Sequence, residues 1–267
     1  MSVVLFEVNQ HIATVTINRP ERRNAFNPEV IVGLYDAFHE VETNEEIRVA
    51  VITGAGDKAF CAGADLGELI PLMTGTREPQ NDFDRRYMDD ISKKGSYLIN
   101  KDPVKPVIAA INGHAIAGGM EFVQGTDIRV SVPTAKFGLQ EVKHALFPAG
   151  ASTVRLPRQI PYAKAMELLL TGDLITADEA LSFGFLNYVV EPAELLPKAM
   201  EIAEKLAANG PLAVQAIRKS AREVWGHPEN EAMKIESAYS KAVFASEDAV
   251  EGPKAFMEKR APEYKGQ

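Results

Sequence analysis

The sequence holds a single cysteine, Cys61, so no internal disulfide can form, and a lone thiol fits a reducing compartment. No apolar run approaches the roughly 20 residues that span a bilayer. The opening Val3-Val4-Leu5-Phe6 lacks the basic stretch of a signal or transit peptide, so a cytoplasmic location without a membrane partner is expected. Basic charge is the scarcer sign: Lys and Arg number 29 against 37 Asp and Glu, a balance of −8. That balance argues against a general affinity for nucleic acid. Several familiar sites are missing too: Gly-x-Ser-x-Gly, Gly-x-x-x-x-Gly-Lys-Ser/Thr, His-Glu-x-x-His and Cys-x-x-Cys. The segment Gly54-Ala55-Gly56-Asp57-Lys58-Ala59 begins like a dinucleotide loop but has no third glycine. Five histidines, at 11, 39, 114, 144 and 227, show no ligand spacing, so neither a metal nor a cofactor is expected. What remains is an ordinary globular composition, 46% hydrophobic and 25% charged, in a chain of 267 residues with ample length to bury a core.

Apolar patterning implies an α/β body. Val4–Val8 and Ile12–Ile17 read as a hairpin around Asn9-Gln10-His11. Asn27 and Pro28 open a helix whose apolar positions are Val30, Leu34, Phe38 and Val41. Three short runs, Val49–Ile52, Val107–Ile111 and Ile128–Val132, do not alternate and read as strands covered on both faces. Helical segments between them imply parallel βαβ connections. The polar stretch from Ala64 to Asn100, interrupted by Pro71, Gly75 and Pro79, reads as helix, mobile loop and helix. Thr176 and Glu179 form a capping box, Leu186–Val190 is a last short strand, and from about 193 onward helices are expected with breaks near 210–211, 226–228 and 252–253.

Two glycine turns follow buried strands: Ala59-Phe60-Cys61-Ala62-Gly63-Ala64-Asp65-Leu66 and Gly113-His114-Ala115-Ile116-Ala117-Gly118-Gly119-Met120-Glu121. Loops at the carboxyl ends of parallel strands collect ligands, and small residues there let a substrate approach main-chain N–H groups. Two such donors on one oxygen would stabilise an oxyanion or enolate. Plain tight turns account for the same spacing equally well. Glu121 falls in the first turn of the helix after Gly118, and Glu141 follows the third parallel strand, so both can reach one pocket and divide acid and base work. Solvated glutamates at helix starts would look the same in the sequence. Cys61 reads as a packing residue of its turn, since nothing basic adjoins it.

The chain resembles the crotonase family, most closely its enoyl-CoA hydratases, from Asn18-Arg19-Pro20-Glu21-Arg22-Arg23-Asn24-Ala25-Phe26 through both glycine turns to Phe256-Met257-Glu258-Lys259-Arg260-Ala261-Pro262. The resemblance implies a spiral of ββα units over 1–195 and a helical trimerisation region over 196–267, assembled as a trimer or dimer of trimers. It implies an acyl-CoA thioester substrate, with the N–H groups of Ala64 and Gly118 as oxyanion hole, Glu141 exchanging the proton at C2 and Glu121 activating water for C3. Arg22, Arg23, Ala25, Lys58, Ala62, Asp65 and Lys259 correspond to CoA-binding positions, and His144, Pro148, Ala149 and Gly150 to the acyl pocket. Where straight-chain hydratases have a glycine-rich Pro-Gly-Ala-Gly-Gly-Thr, this chain reads Pro148-Ala149-Gly150-Ala151-Ser152-Thr153, a departure expected to alter acyl fit or water placement. Reversible syn hydration of a 2-enoyl-CoA is the leading expectation. Enoyl-CoA isomerisation, carnitinyl-CoA racemisation or dehydration, and a non-catalytic CoA-binding scaffold are the alternatives.

Overall fold

The protein is described here by a computed structural model covering residues 2–267. Strands β1 (Val4–Asn9) and β2 (Ile12–Ile17) form the expected hairpin, Val4 opposite Ile17 and Asn9 opposite Ile12. Its two-residue turn has positive φ at both Gln10 (48°) and His11 (68°), the twist that joins antiparallel strands tightly. Helix α1 (Pro28–Thr43) is capped by Asn27, whose side-chain oxygen accepts from Val30 N at 2.9 Å, and it buries Val30, Leu34, Phe38 and Val41. There follow β3 (Val49–Gly54), β4 (Ala59–Cys61), α2 (Leu69–Met73), α3 (Asp82–Arg86), a π-helical turn at Tyr87–Ile91 and α4 (Ser92–Lys94). Next come β5 (Val107–Ile111), β6 (His114–Ile116), α5 (Gly118–Gln124), β7 (Ile128–Ser131), β8 (Lys136–Gly138) and a 3-10 turn at Gln140–His144. The rest is mostly helical: α6 (Ser152–Gln159), α7 (Tyr162–Thr171), β9 (Ile175–Thr176), α8 (Ala177–Ser182), β10 (Tyr188–Val189), α9 (Leu195–Ala208), α10 (Pro211–Glu223), α11 (Glu229–Phe244) and α12 (Asp248–Glu258).

Two sheets organise these elements. The larger has strand order β1-β2-β3-β5-β7-β10, parallel except for the first pair, and the smaller has order β4-β6-β8-β9, antiparallel only between β8 and β9. Each of the pairs β3–β4, β5–β6 and β7–β8 places one strand in each sheet before helices return the chain, so successive ββα units wind as a spiral. Main-chain turns are tied across units by Asn112, which accepts from Gly54 N at 3.0 Å and donates to Gly56 O at 2.8 Å. Buried apolar side chains of β2, β3, β5 and β7 form a continuous core with α1, α5 and α9.

Two features depart from the sequence-based expectations. The second sheet was not foreseen: its strands are two or three residues long, too short for period-2 patterning to register. Helix α12 runs unbroken through Gly252-Pro253, and the break falls earlier, at 245–247. Pro253 is exposed, so the carbonyl it deprives of a partner can bond water, while the C-terminal tail clasps the helix through Lys265 N and Gly266 N on the Asp248 carboxylate at 2.8 and 2.9 Å. Helix α9, which begins at Leu195, packs on β3, β5 and β7 and buries Leu195, Ala199, Ala203 and Ala207. Among the C-terminal helices, those that stand away from the sheet are α10 to α12.

Candidate active site

The two glycine turns meet. Gly63, just after β4, has φ +89°, and a Cβ built on it would lie 2.9 Å from Ala117 Cβ and 3.1 Å from Gly118 N, so no larger residue fits between the turns. Ala117 itself holds a strained backbone, φ 52° and ψ −126°, pinned by its N–H donating to Gly138 O at 2.8 Å. A Cβ on Gly118 would be 3.7 Å from Ala64 N, which makes the Ala64 and Gly118 amides neighbours. Neither N–H donates to a group among the described residues. Hydrogen bonds from Phe26 N to Gly63 O and from Asp65 N to Phe26 O, both 2.8 Å, fix the first turn from outside.

Both glutamates turn toward this place. Glu121, in the first turn of α5, is 6% exposed, and its Oε1 accepts from Gly150 N at 2.7 Å. Burial raises its pKa, and the donors at Gly150 and Ser152 and the positive charge of Arg155 offset this only in part, so the net shift is upward. Glu141, in the 3-10 turn after β8, is pushed up to about 7, first by burial and further by the negative charge of Glu121. Its Oε2 is buried with no partner. Both carboxyls are therefore shifted upward, Glu121 with donors that partly offset its burial and Glu141 with a buried oxygen that has none, an asymmetry that acid–base catalysis can use.

A cavity of about 630 Å³ joins these groups. Ala62, Ala64, Gly118, Glu121, Glu141, His144, Ala149 and Gly150 all line it. Its walls are otherwise mostly apolar or aromatic, with Phe26, Tyr35, Tyr87 and Tyr97 among them. The family model described as Enoyl-CoA hydratase/isomerase matches residues 7–267. An enoyl-CoA hydratase of Mycobacterium tuberculosis is 47% identical over 260 residues, 97% of this chain and 95% of the relative. The (E)-benzylidenesuccinyl-CoA hydratase of Thauera aromatica is 41% identical over 263 residues, 98% of this chain and 99% of the relative. A crystal structure of an enoyl-CoA hydratase from Mycobacterium tuberculosis superposes with TM-score 0.86 at 36% identity, covering 100% of both chains.

The chain belongs to the enoyl-CoA hydratase/isomerase family. Its ββα spiral is the crotonase fold of that family. The positions that the family resemblance marks for CoA are spread more widely than the catalytic ones. Arg22, Arg23 and Lys58 are exposed, Ala25 is buried beside Phe26, and Lys259 is an exposed C-cap of α12 with φ 55°. None of these five lines the cavity. Asp65 has a different partner: its carboxylate accepts from Arg19 at 2.6 Å and from Gly67 N and Glu68 N at 2.9 and 3.1 Å. Burial raises the Asp65 pKa, but these donors more than offset it, and the net shift is downward. Arg19 also bonds Glu68 at 2.7 Å, so the segment that follows Ala64 is clamped by a partly buried ion-pair network. Pro148 is buried behind the cavity wall. Cys61 is fully buried and its thiol is pushed up to about 12, a packing residue.

Sequence reasoning missed Tyr35, Tyr87 and Tyr97 as cavity residues. Tyr35 lies on α1, outside the positions Val30, Leu34, Phe38 and Val41 that mark its apolar spacing. Tyr87 opens the π-helical turn and Tyr97 follows α4, in a segment whose mixed composition carries no periodic signal.

Proposed function

We propose that the chain is an enoyl-CoA hydratase that adds water reversibly and syn across the C2–C3 double bond of a 2-enoyl-CoA thioester. The observation that carries this reading is the placement of two carboxyl groups with raised pKa and two unpartnered main-chain N–H groups on one cavity. In the proposed mechanism the amides of Ala64 and Gly118 hold the thioester oxygen. Their donation strengthens as negative charge builds there, which lowers the barrier to an enolate; removing one comparable donor costs about 10²–10³ in rate. Ionised Glu121 takes a proton from water as the water oxygen bonds C3, and the π electrons move through C2 onto the thioester oxygen. Protonated Glu141 then gives its proton to C2 and the carbonyl reforms. Water is consumed and no charge is left over, since Glu121 ends protonated and Glu141 ionised, a difference that one proton exchange with solvent restores.

These steps draw only on the groups named, so neither metal nor redox cofactor is proposed. Arg22, Arg23, Ala25, Lys58, Ala62 and Lys259 are proposed to serve the CoA moiety, with Lys58 and the arginines available for charge-assisted contacts to phosphate. We also propose a homo-oligomer, a trimer or dimer of trimers, in the cytoplasm. Its support is an apolar face on α10 and α11, where Ile217 is 70% and Phe244 80% exposed, the kind of surface that marks a protein–protein contact. Among the described residues no helix is long and apolar enough to cross a membrane.

The test is loss of conjugated-thioester absorbance on a panel of 2-enoyl-CoA esters, beginning with crotonyl-CoA, in heavy-oxygen water. Label is expected in the 3-hydroxyacyl product. Glu121→Gln and Glu141→Gln should each cut turnover by several orders of magnitude while thioester binding persists; an active double variant, or product without label, would refute the assignment.

A further inference from the structure

A base nine-tenths withdrawn from water keeps its charge only if its surroundings donate to it. Gly150 N–H is one donor to Glu121, and a second candidate lies two residues on. Ser152 opens α6, is 0% exposed, and its hydroxyl oxygen accepts a 2.9 Å hydrogen bond from Gln124 Nε2. Gln124, also 0% exposed, stands one helical turn after Glu121 on α5, so its amide and the carboxylate leave the same face of that helix. A hydroxyl whose oxygen is occupied by Gln124 retains its own proton to give. Although no hydrogen bond joins it to Glu121 in this structure, Gly150, two residues before it, already donates to that carboxylate at 2.7 Å. Both the hydroxyl and the N–H of Ser152 favour the ionised form of Glu121. The other end of the Gln124 amide, Oε1, is buried without a partner. Leaving a buried acceptor unmet is a cost that a side chain present only to fill space would not carry.

We propose that Gln124 and Ser152 are a positioning pair for the general base, Gln124 turning the Ser152 hydroxyl so that it donates to Glu121 and holds that carboxylate in its working orientation. This rests on the hydratase reading above. It also gives the serine in Pro148–Thr153, a site where straight-chain hydratases are glycine-rich, a part in the chemistry distinct from acyl fit. The charged groups acting on Glu121 are Glu141 from the 3-10 turn and Arg155 from α6. On β6, His114 is engaged with Lys136 N at 3.1 Å, and on β4 the Cys61 thiol is pushed up to about 12 and stays protonated.

The experiment is the pH dependence of kcat and kcat/KM with crotonyl-CoA, or with the best thioester of the panel, for wild type, Ser152→Ala, Ser152→Gly, Ser152→Thr and Gln124→Met. Losing a hydrogen bond to a charged group should move the acid limb of kcat/KM upward by about one unit. Ser152→Ala and Ser152→Gly are expected to show that shift with kcat lowered about tenfold and KM within twofold. Ser152→Thr, which keeps a hydroxyl, should restore the limb, and Gln124→Met should fall between. An unmoved acid limb in both Ser152→Ala and Gln124→Met overturns the proposal, even where kcat has dropped, because a structural defect would lower activity without retuning the base. If Ser152→Ala does not fold, Gln124→Met reads the same limb. Wild type inactive on every thioester would instead defeat the hydratase reading, and the pair's role with it.

Discussion

Replacing Gly150 by alanine tests whether Glu121 is held where the reaction needs it. Gly150 does not sit in the left-handed region, so alanine is compatible with its backbone and the perturbation is purely steric. The added Cβ would lie 2.5 Å from Glu121 Oε2 and 2.6 Å from its Cδ. Ordinary contact begins near 3.4 Å, so the carboxylate must retreat by about 0.9 Å (3.4 less 2.5). It cannot do so and keep its 2.7 Å bond from Gly150 N. A hydrogen bond to a charged group is worth about 1.5–3 kcal/mol, and a misplacement of about 1 Å in a reacting group can cost about 10²-fold. We therefore expect Gly150→Ala to lower kcat about 10²-fold. KM should stay within about threefold, because the amides of Ala64 and Gly118 that grip the thioester lie on other turns. Initial rates of enoyl-CoA hydration over a range of substrate concentrations, with a thermal melt to establish folding, decide the matter. A folded variant with kcat within threefold of wild type would refute the reasoning.

Three further outcomes are expected. The active form carries one proton over the two glutamates, so kcat/KM should be bell-shaped in pH, falling above about 7 as Glu141 ionises and below the raised pKa of Glu121; a flat alkaline limb would contradict this. Hydration and dehydration should share the same bell, since each uses a singly protonated pair. Glu141 ionises at 4.5 when unfolded but at about 7 in the fold, so it destabilises the native state progressively from pH 4.5 to 7 and fully above; Glu141→Gln should thus melt higher than wild type at pH 8, with the gap closing below 4.5, and no gap at pH 8 would count against the burial argument. Finally, Arg19→Met leaves the carboxylates of Asp65 and Glu68 without their guanidinium partner and, since Glu68 is 46% exposed and Asp65 keeps two main-chain donors, should cost about 1–3 kcal/mol in urea unfolding, with a parallel fall in kcat as the Ala64 turn loosens; stability indistinguishable from wild type would show that the clamp is dispensable.

Much of this was legible in the amino-acid order. The Gln10-His11 hairpin, the Asn27 cap, the Thr176–Glu179 capping box and the three apolar strands, buried throughout except at Ile128, each carry a local rule that the tertiary structure obeys. Glu121, Glu141 and the two glycine turns could be singled out because their chemistry is written in residue type, although surface glutamates and plain turns explained the same letters until the fold placed them around one cavity. The second sheet could not be seen, since strands of two or three residues are held by neighbours distant in sequence rather than by their own pattern. Pro253 shows the converse, a strong local breaker overruled by a tail that grips Asp248.

The order of residues alone determined which stretches must hide from water, where helices begin, and which side chains can donate, accept or carry a proton, because those properties belong to each residue and its near neighbours. Only the tertiary structure decided that Gly63 presses on Ala117, that Gly150 touches the Glu121 carboxylate, that Asp65 is claimed by Arg19, and that burial lifts Glu141 to about 7. Contact, orientation and dielectric environment arise from segments tens of residues apart, and no local periodicity encodes them.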